Sequence, residues 1–288
     1  MAKPVWIHLT ATTTLGMPTL THAEVGAWLW QHMRDAFALA IAALLMPDHV
    51  HVLLASVAPE LDRQRLARLL GQLARRFGVL GRAAIVPRPE TIRGGIVLER
   101  SVRYIALNPC REELVRCPLA WMWSTHRDVV GAAVDPWVSA TRLADALGRS
   151  AEGFGERHHA YVSGDPHAHV SGTPYPQPAA PTLLPHHGLR VVAEAATSAF
   201  RQPVAAIRSS AEARALFVAL AYEQGWGHAA KLAEVCGCSP KTIRRHASAV
   251  DAAAMPAARL CMGDERLRRW WAPTSLAEDV RGRGKHRQ

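Results

Sequence analysis

The stretch Leu44 to Ala55, LLMPDHVHVLLA, carries two histidines, His49 and His51, two positions apart inside an apolar run. Side chains of a β-strand alternate between its faces. Both imidazoles therefore leave one side about 7 Å apart, while Val50, Val52 and Leu54 point the other way into a core. A rigid strand then offers two nitrogens to one metal ion. The same stretch also reads as a plain core strand with two hydrogen-bonded histidines, because neutral imidazole makes a metal site only when further groups join it. The decision rests on whether the rest of the chain supplies a third group.

Upstream, Val5 to Thr13 (VWIHLTATT) alternates apolar and polar residues and predicts a first strand, closed by a Gly16-Met-Pro18 turn. Thr21 with Glu24 three residues on forms a capping box that opens a helix, HAEVGAWLWQHMRDAF. Its Val25, Trp28, Leu29, His32 and Met33 share one face and read as core. Ala38 to Leu45 begins the second strand, Met46-Pro47-Asp48 interrupts it, and the histidine strand runs to about Ser56. Pro59 to Leu80 predicts an amphipathic helix with Leu61, Leu66, Leu69, Leu70 and Leu73 as its apolar stripe. Arg63, Arg65, Arg68, Arg75 and Arg76 line the remainder, a nearly one-signed face that points to nucleic acid, Arg75 and Arg76 above all. Edge strands are expected around Ala84-Ile-Val86 and Gly95-Ile-Val-Leu98.

Residues 98 to 131 supply the missing groups. Glu99 to Leu107 predicts a helix that stops before Pro109, since a proline pushes its predecessor out of the helical region. Tyr104 and Asn108 stand four apart, one above the other on one helical face. A phenol that can act as a nucleophile thus sits beside an amide oxygen that can complete a metal shell. Trp121, Trp123 and His126 follow and are candidates for stacking on unpaired bases, each worth on the order of 1–3 kcal/mol.

Composition points the same way. The 288 residues carry 34 Lys plus Arg against 24 Asp plus Glu, a formal charge of +10, and most of the cations are Arg. The planar guanidinium fork suits phosphate, so a polyanion is the expected partner. An apolar fraction of 49% is that of a globular protein, long enough here for two domains. No run approaches the roughly 18–20 apolar residues of a membrane span, and MAKPVWIHLT lacks a signal-peptide pattern, so a cytoplasmic location without membrane attachment is expected. The five cysteines, Cys110, Cys117, Cys236, Cys238 and Cys261, lack paired CxxC spacing and read as small buried thiols.

Three blocks in order, MPDHVHVLLA, YIALNPCREELV and WMWSTHRDVVG, resemble the MPNHVHLLL-like, YIHLNPVRAGLV-like and PWSSYR-like blocks of the small one-tyrosine HUH transposases, especially the group that includes the REP-associated tyrosine transposases. The resemblance covers residues 5 to 131. It implies a ferredoxin-like α+β fold, with an antiparallel sheet and helices on one face, and cleavage and strand transfer of single-stranded, hairpin-forming DNA with Mg²⁺ or Mn²⁺. His49 and His51 match the metal-binding histidines, Tyr104 the nucleophile that forms a 5′-phosphotyrosine, and Asn108 the polar ligand one turn on. The chain departs from the pattern at Cys110, at His126 and in lacking the common Arg-Gly segment of the first strand, which touches substrate contacts and no catalytic group. Arg103 and Arg111, flanking the tyrosine block, are expected at the DNA. A domesticated protein that binds or regulates through DNA hairpins without cutting is the alternative.

Asp135 to Gly164 predicts one or two helices packing back on this first domain (1–162), and Tyr161 there is a rival nucleophile without an amide one turn on. Residues 163–187 read as a Pro-rich linker whose His167 and His169 no strand holds rigid. Helices are expected over Gly188 to Ala199 and Ala211 to Gln224. In AAKLAEVCGCSPKTIRRHASAV, residues 229–250, Ala233, Gly237 and Ile243 have helix-turn-helix spacing, and Ser239-Pro240 opens the second helix. Lys241, Thr242, Arg244 and Arg245 are its candidate contacts to duplex DNA. Residues 188–250 distantly resemble the DNA-binding domain of the replication initiator DnaA. This helical domain (188–262) and a basic tail (263–288) complete a chain expected to act as a monomer or homodimer.

Overall fold

Alternation in VWIHLTAT and HVHVLLAS builds the two central strands of an antiparallel sheet. The computed structural model describes residues 3–12, 20, 23–78, 87–168, 170, 172–247 and 252–269. Strand β1 (Val5–Thr12) leads into helix α1 (Ala23–Ala36), then β2 (Ala40–Leu45), β3 (His49–Ser56), helix α2 (Pro59–Phe77) and β4 (Arg88–Ile92). The strands lie in the order β2-β3-β1-β4, every neighbouring pair antiparallel. This is the ferredoxin-like arrangement, and the chain is α+β in class. In register, Ile7 and Leu9 face Leu54 and Val52, while His8 and Thr10 face Leu53 and His51, so the two faces of the sheet differ in chemistry.

α1 and α2 pack on each other, as right-handed crossovers that return to one face of a sheet must. Leu66, Leu69, Leu70 and Leu73 of α2 are buried, each contributing about 1.5–3 kcal/mol of transfer free energy. Leu61, expected in that stripe, is 59% exposed, because it belongs to the first turn, which reaches past the edge of the core. Gly78, at φ +62, ends α2 short of Leu80 with its N–H on the Ala74 carbonyl at 2.9 Å. The expected Thr21 cap, the Gly16-Met-Pro18 turn and the Ala84-Ile-Val86 strand lie outside the described residues.

Helix α3 (Gly95–Arg111) departs from expectation at both ends. Gly95 to Leu98 forms its first turn, not an edge strand: the edge is taken by β4, and Gly94, at φ +87, turns the chain from strand to helix. Nor does the helix stop before Pro109. Pro109 sits in the last turn, and burial of Leu107, Asn108, Pro109 and Cys110 outweighs both the lost backbone hydrogen bond and the extended preference of Asn108. Beyond it the Glu112 N–H still reaches the Asn108 carbonyl at 3.0 Å.

Short helices α4 (His126–Val129), α5 (Ala140–Ala146) and α6 (Phe154–Ser163) return across α3 and β2. The C-terminal part consists of α7 (Leu189–Ala199), α8 (Ala211–Glu223), α9 (Ala229–Cys236), α10 (Pro240–Ala247), α11 (Met255–Gly263) and α12 (Glu265–Arg268). Its core is continuous with Leu119, Val130 and Ala132 of the first part. Buried charges bind the two parts. Arg201 pairs with Asp128 and donates to the Met122 and Ser124 carbonyls, and Arg127 donates to the carbonyls of Leu119 and Leu267 at 3.0 and 2.7 Å. Removing one member of such a buried pair costs about 3–5 kcal/mol. Residues 172–187 run extended across the C-terminal helices, tied by the Ala179 N–H to Arg259 and the Thr182 N–H to Glu223, both at 2.9 Å. All five cysteines are free thiols, four of them buried. Among the described residues no helix is long and apolar enough to cross a membrane.

Candidate active site

β3 places His49 and His51 on the face it shares with His8 and Thr10 of β1. Their rings approach to 4.8 Å between centroids at 85° to each other. His51 is 3% exposed and held at both ring nitrogens: Nδ1 lies 2.9 Å from His8 Nε2, and Nε2 lies 2.9 Å from the Asn108 side-chain amide. The His8 ring stacks on it at 5.0 Å, and the Thr10 hydroxyl stands 3.4 Å from the facing nitrogens of both rings. His49 is partly exposed, and its Nδ1 meets Asp48 Oδ1 at 2.6 Å. Burial, reinforced by His49 and His8, holds the His51 imidazole well below the ordinary histidine range, so it is neutral at pH 7. Burial lowers His8 as well, with Glu90 opposing. The hydrogen bond from His49 holds the Asp48 carboxyl below its usual range against the opposing effect of partial burial.

The opposite wall is α3. One helical turn separates the buried Asn108 from Tyr104, which is 44% exposed, and the Tyr104 ring stands edge-on to His51 with centroids 6.0 Å apart. Between wall and sheet lies an open groove of about 430 Å³ lined by His8, Thr10, His51, Glu90, Arg100 and Tyr104. The Arg111 guanidinium lies 5.0 Å from the Tyr104 ring centre and donates to Asp165 at 2.9 Å. Arg103 pairs with the same carboxylate at 3.6 Å and stacks over the Tyr161 ring at 4.5 Å. One buried aspartate thus fixes both arginines expected at the DNA. Tyr161 stands on α6 against Arg103, and the residue four positions on is Asp165 where Tyr104 has Asn108.

His51 and Tyr104 line this groove, and His49 and Asn108 each stand against His51 without lining it. Among the described residues no three His, Cys, Asp or Glu side chains converge as a metal cage, and the set here is two histidines and an amide. Arg75 and Arg76 are exposed on α2, no residue of which lines the groove. Trp121, Trp123 and His126 cannot stack on bases: they are 0%, 1% and 3% exposed, and the Trp121 indole N–H donates to the Leu45 carbonyl at 2.9 Å. Their length of chain adds to the edge of β2, where Leu44 bridges to Ser124. His169 lies outside the described residues.

Lys241, Arg244 and Arg245 are exposed and Thr242 half-buried on α10. That helix is seated by the buried Ile243 and capped by Ser239, whose hydroxyl accepts the Thr242 N–H at 3.2 Å. Gly237, at φ +62, makes the tight turn from α9, and Leu232 and Ala233 are buried.

His8, Thr10, Asp48 and Asp165 were not singled out by the sequence reading. The polar pair His8 and Thr10 does alternate with Ile7 and Leu9, which is the only local signal of them; Asp165 gives none.

No family model and no curated protein matches the sequence. A solved structure of a REP-associated tyrosine transposase bound to a REP hairpin is similar at 19% identity and a TM-score of 0.38, over 46% of this chain and 82% of that one. A likeness at that level carries no argument about chemistry.

Proposed function

We propose that the chain is a metal-dependent single-strand DNA endonuclease and strand transferase of the tyrosine HUH type. The observation that supports this reading best is the joint placement of Tyr104 and Asn108. The amide touches the buried His51 and, one turn earlier, the phenol stands exposed at the groove beside the same ring. The donors that would hold an ion are His51, whose imidazole is neutral, His49, whose Nδ1 is engaged so that Nε2 is the nitrogen left over, and the Asn108 side-chain amide against His51; Mg²⁺ or Mn²⁺ is the ion that the family resemblance implies, with waters and phosphate oxygens filling the remaining positions. Bound there by His49, His51 and Asn108, the ion would act as a Lewis acid on a phosphate oxygen.

The residues of the chain do the rest. The Tyr104 oxygen attacks phosphorus, a bond forms from phenol oxygen to phosphorus, and the bond from phosphorus to the 3′-oxygen breaks. The phenol proton leaves to solvent and the departing 3′-oxygen takes one up. The products are a 5′-phosphotyrosine and a free 3′-hydroxyl, which can later attack the adduct in reverse, so strand transfer needs no external energy source. Arg111, fixed by Asp165, holds the Tyr104 ring from its outer face and brings a positive charge beside the site of attack. Lys241, Thr242, Arg244 and Arg245 of α10 would contact duplex DNA next to the cleaved strand.

The test is a panel of hairpin-containing single-stranded oligonucleotides incubated with the full chain and Mg²⁺ or Mn²⁺, then resolved on denaturing gels. A covalent adduct that disappears in Tyr104→Phe and persists in Tyr161→Phe supports the reading. Binding without any adduct across the panel would favour the non-cleaving alternative.

A further inference from the structure

We propose that His8 and Asp48 are positioning residues for the His49/His51 pair, each fixing one histidine's tautomer by accepting its Nδ1 proton so that Nε2 presents a lone pair to the metal. This rests on the metal-site reading above. A neutral imidazole carries one proton, and it can ligate through one nitrogen only if the proton is kept on the other. At His49 the acceptor is the Asp48 carboxylate, 2.6 Å from Nδ1. At His51 it is His8 Nε2, 2.9 Å from Nδ1.

Asn108 decides the direction of the second bond. Its amide N–H group faces His51 Nε2 at 2.9 Å, so that nitrogen holds the lone pair and the His51 proton is on Nδ1, donated to His8; to ligate an ion beside His51 the amide would turn its oxygen inward and free that lone pair. The reverse direction, His8 donating to His51, would put a proton on Nε2 and set it against the amide N–H. A proton on His51 Nδ1 in turn leaves His8 with its own proton on Nδ1. Thr10 is the weaker partner, its hydroxyl 3.4 Å from the nitrogen in question against 2.9 Å for His8. The two histidines thus use acceptors of different kinds, one from the turn before β3 and one from across the sheet, to the same end. Outer partners of this sort typically change metal affinity by about 10–100-fold.

Histidine-labelled, metal-free full-length protein examined by two-bond ¹H–¹⁵N NMR reads the tautomers directly, and Mn²⁺ titration followed by EPR, without DNA, reads the affinity. The expected result is His51 protonated on Nδ1 in the wild type. In His8→Phe, which keeps a stacking ring and removes the acceptor, that tautomer is lost and Mn²⁺ affinity falls about 10–100-fold. In His8→Gln, whose amide oxygen can stand near the former Nε2, both are largely restored. Wild-type His51 protonated on Nε2, or His8→Phe leaving tautomer and Mn²⁺ affinity unchanged, would overturn the proposal. A wild-type chain with the expected tautomer that takes up no Mn²⁺ would sink the metal-site reading while supporting the hydrogen-bond assignment.

Discussion

The trio His8, His49 and His51 and the trio His126, His158 and His159 are built alike and placed differently. In each, one imidazole nitrogen approaches another, at 2.9 Å between His8 and His51 and at 3.0 Å between His126 and His159. Each has one stacked ring pair and a second pair at a steep angle, edge-on in the first trio and tilted in the second. His8 and His51 of the first trio line a groove of about 430 Å³ together with an exposed phenol, and a buried amide touches His51. The second is shut between α4 and α6 beside a space of about 10 Å³, room for one water at most. His126 Nδ1 has no partner there among the described residues, while His159 Nε2 is satisfied by the Thr173 and Pro174 carbonyls at 3.2 Å. Clustered histidines therefore do not make a site by themselves. Access and a chemically different neighbour are what set the first trio apart from the second.

The largest effect expected is on the neighbour. Tyr104→Phe should reduce adduct formation by on the order of 10⁴-fold or more while leaving binding of the same oligonucleotides intact, as measured by gel and by fluorescence anisotropy. Next come exchanges between the trios. His49→Ala or His51→Ala should lower cleavage by at least about 10²-fold and spare much of the binding, because attraction to phosphates does not need the metal. His126→Ala should do the opposite, costing about 2–4 kcal/mol in denaturant unfolding by opening a cavity and stranding His159 Nδ1, with cleavage retained in the cold. Equal losses of binding and cleavage in His49→Ala would mean that this histidine only holds structure.

The sealed trio should also write itself into the pH dependence of stability. Burial pushes His158 down to about 4 from an ordinary value of 6.5, and it pushes His126 down as well. The unfolded chain then binds protons that the folded chain refuses. Stability is full above about pH 6.5 and falls progressively as pH drops towards 4, by about 3 kcal/mol for His158 alone. Replacing His158 with Phe should flatten that slope in urea titrations at pH 4–7; an unchanged slope would show that the imidazole is not the proton acceptor.

The smallest expected effect lies far from both trios. Lys241→Ala with Arg244→Ala should weaken duplex binding and reduce its salt dependence by about one unit of slope per lost phosphate contact, with adduct formation on single strands unaltered.

Much of this arrangement was legible because it is written in short periods. The two-residue alternation in HVHVLLAS put His49 and His51 on one face, and the four-residue spacing put Asn108 over Tyr104; both faces were found where those periods place them. His8 could be singled out only with the β1–β3 register in hand, a pairing of residues 43 apart that no local pattern encodes. The tryptophans misled for a similar reason. Trp121 and Trp123 sit in an irregular stretch, and their burial is decided by β2 and by Trp30 of α1, whose ring is 6.0 Å from Trp123. At Pro109 a local rule lost to packing, since Asn108 stays helical where its side chain meets His51.

The most direct test of the central claim is to digest the DNA–protein product formed with Mn²⁺ and a cleaved hairpin oligonucleotide and to locate the modified residue by mass spectrometry. The account predicts a 5′-linked nucleotide on the peptide that contains Tyr104. A nucleotide on Tyr161 or elsewhere, or a cleaved strand with no covalent adduct at any stage, would contradict it.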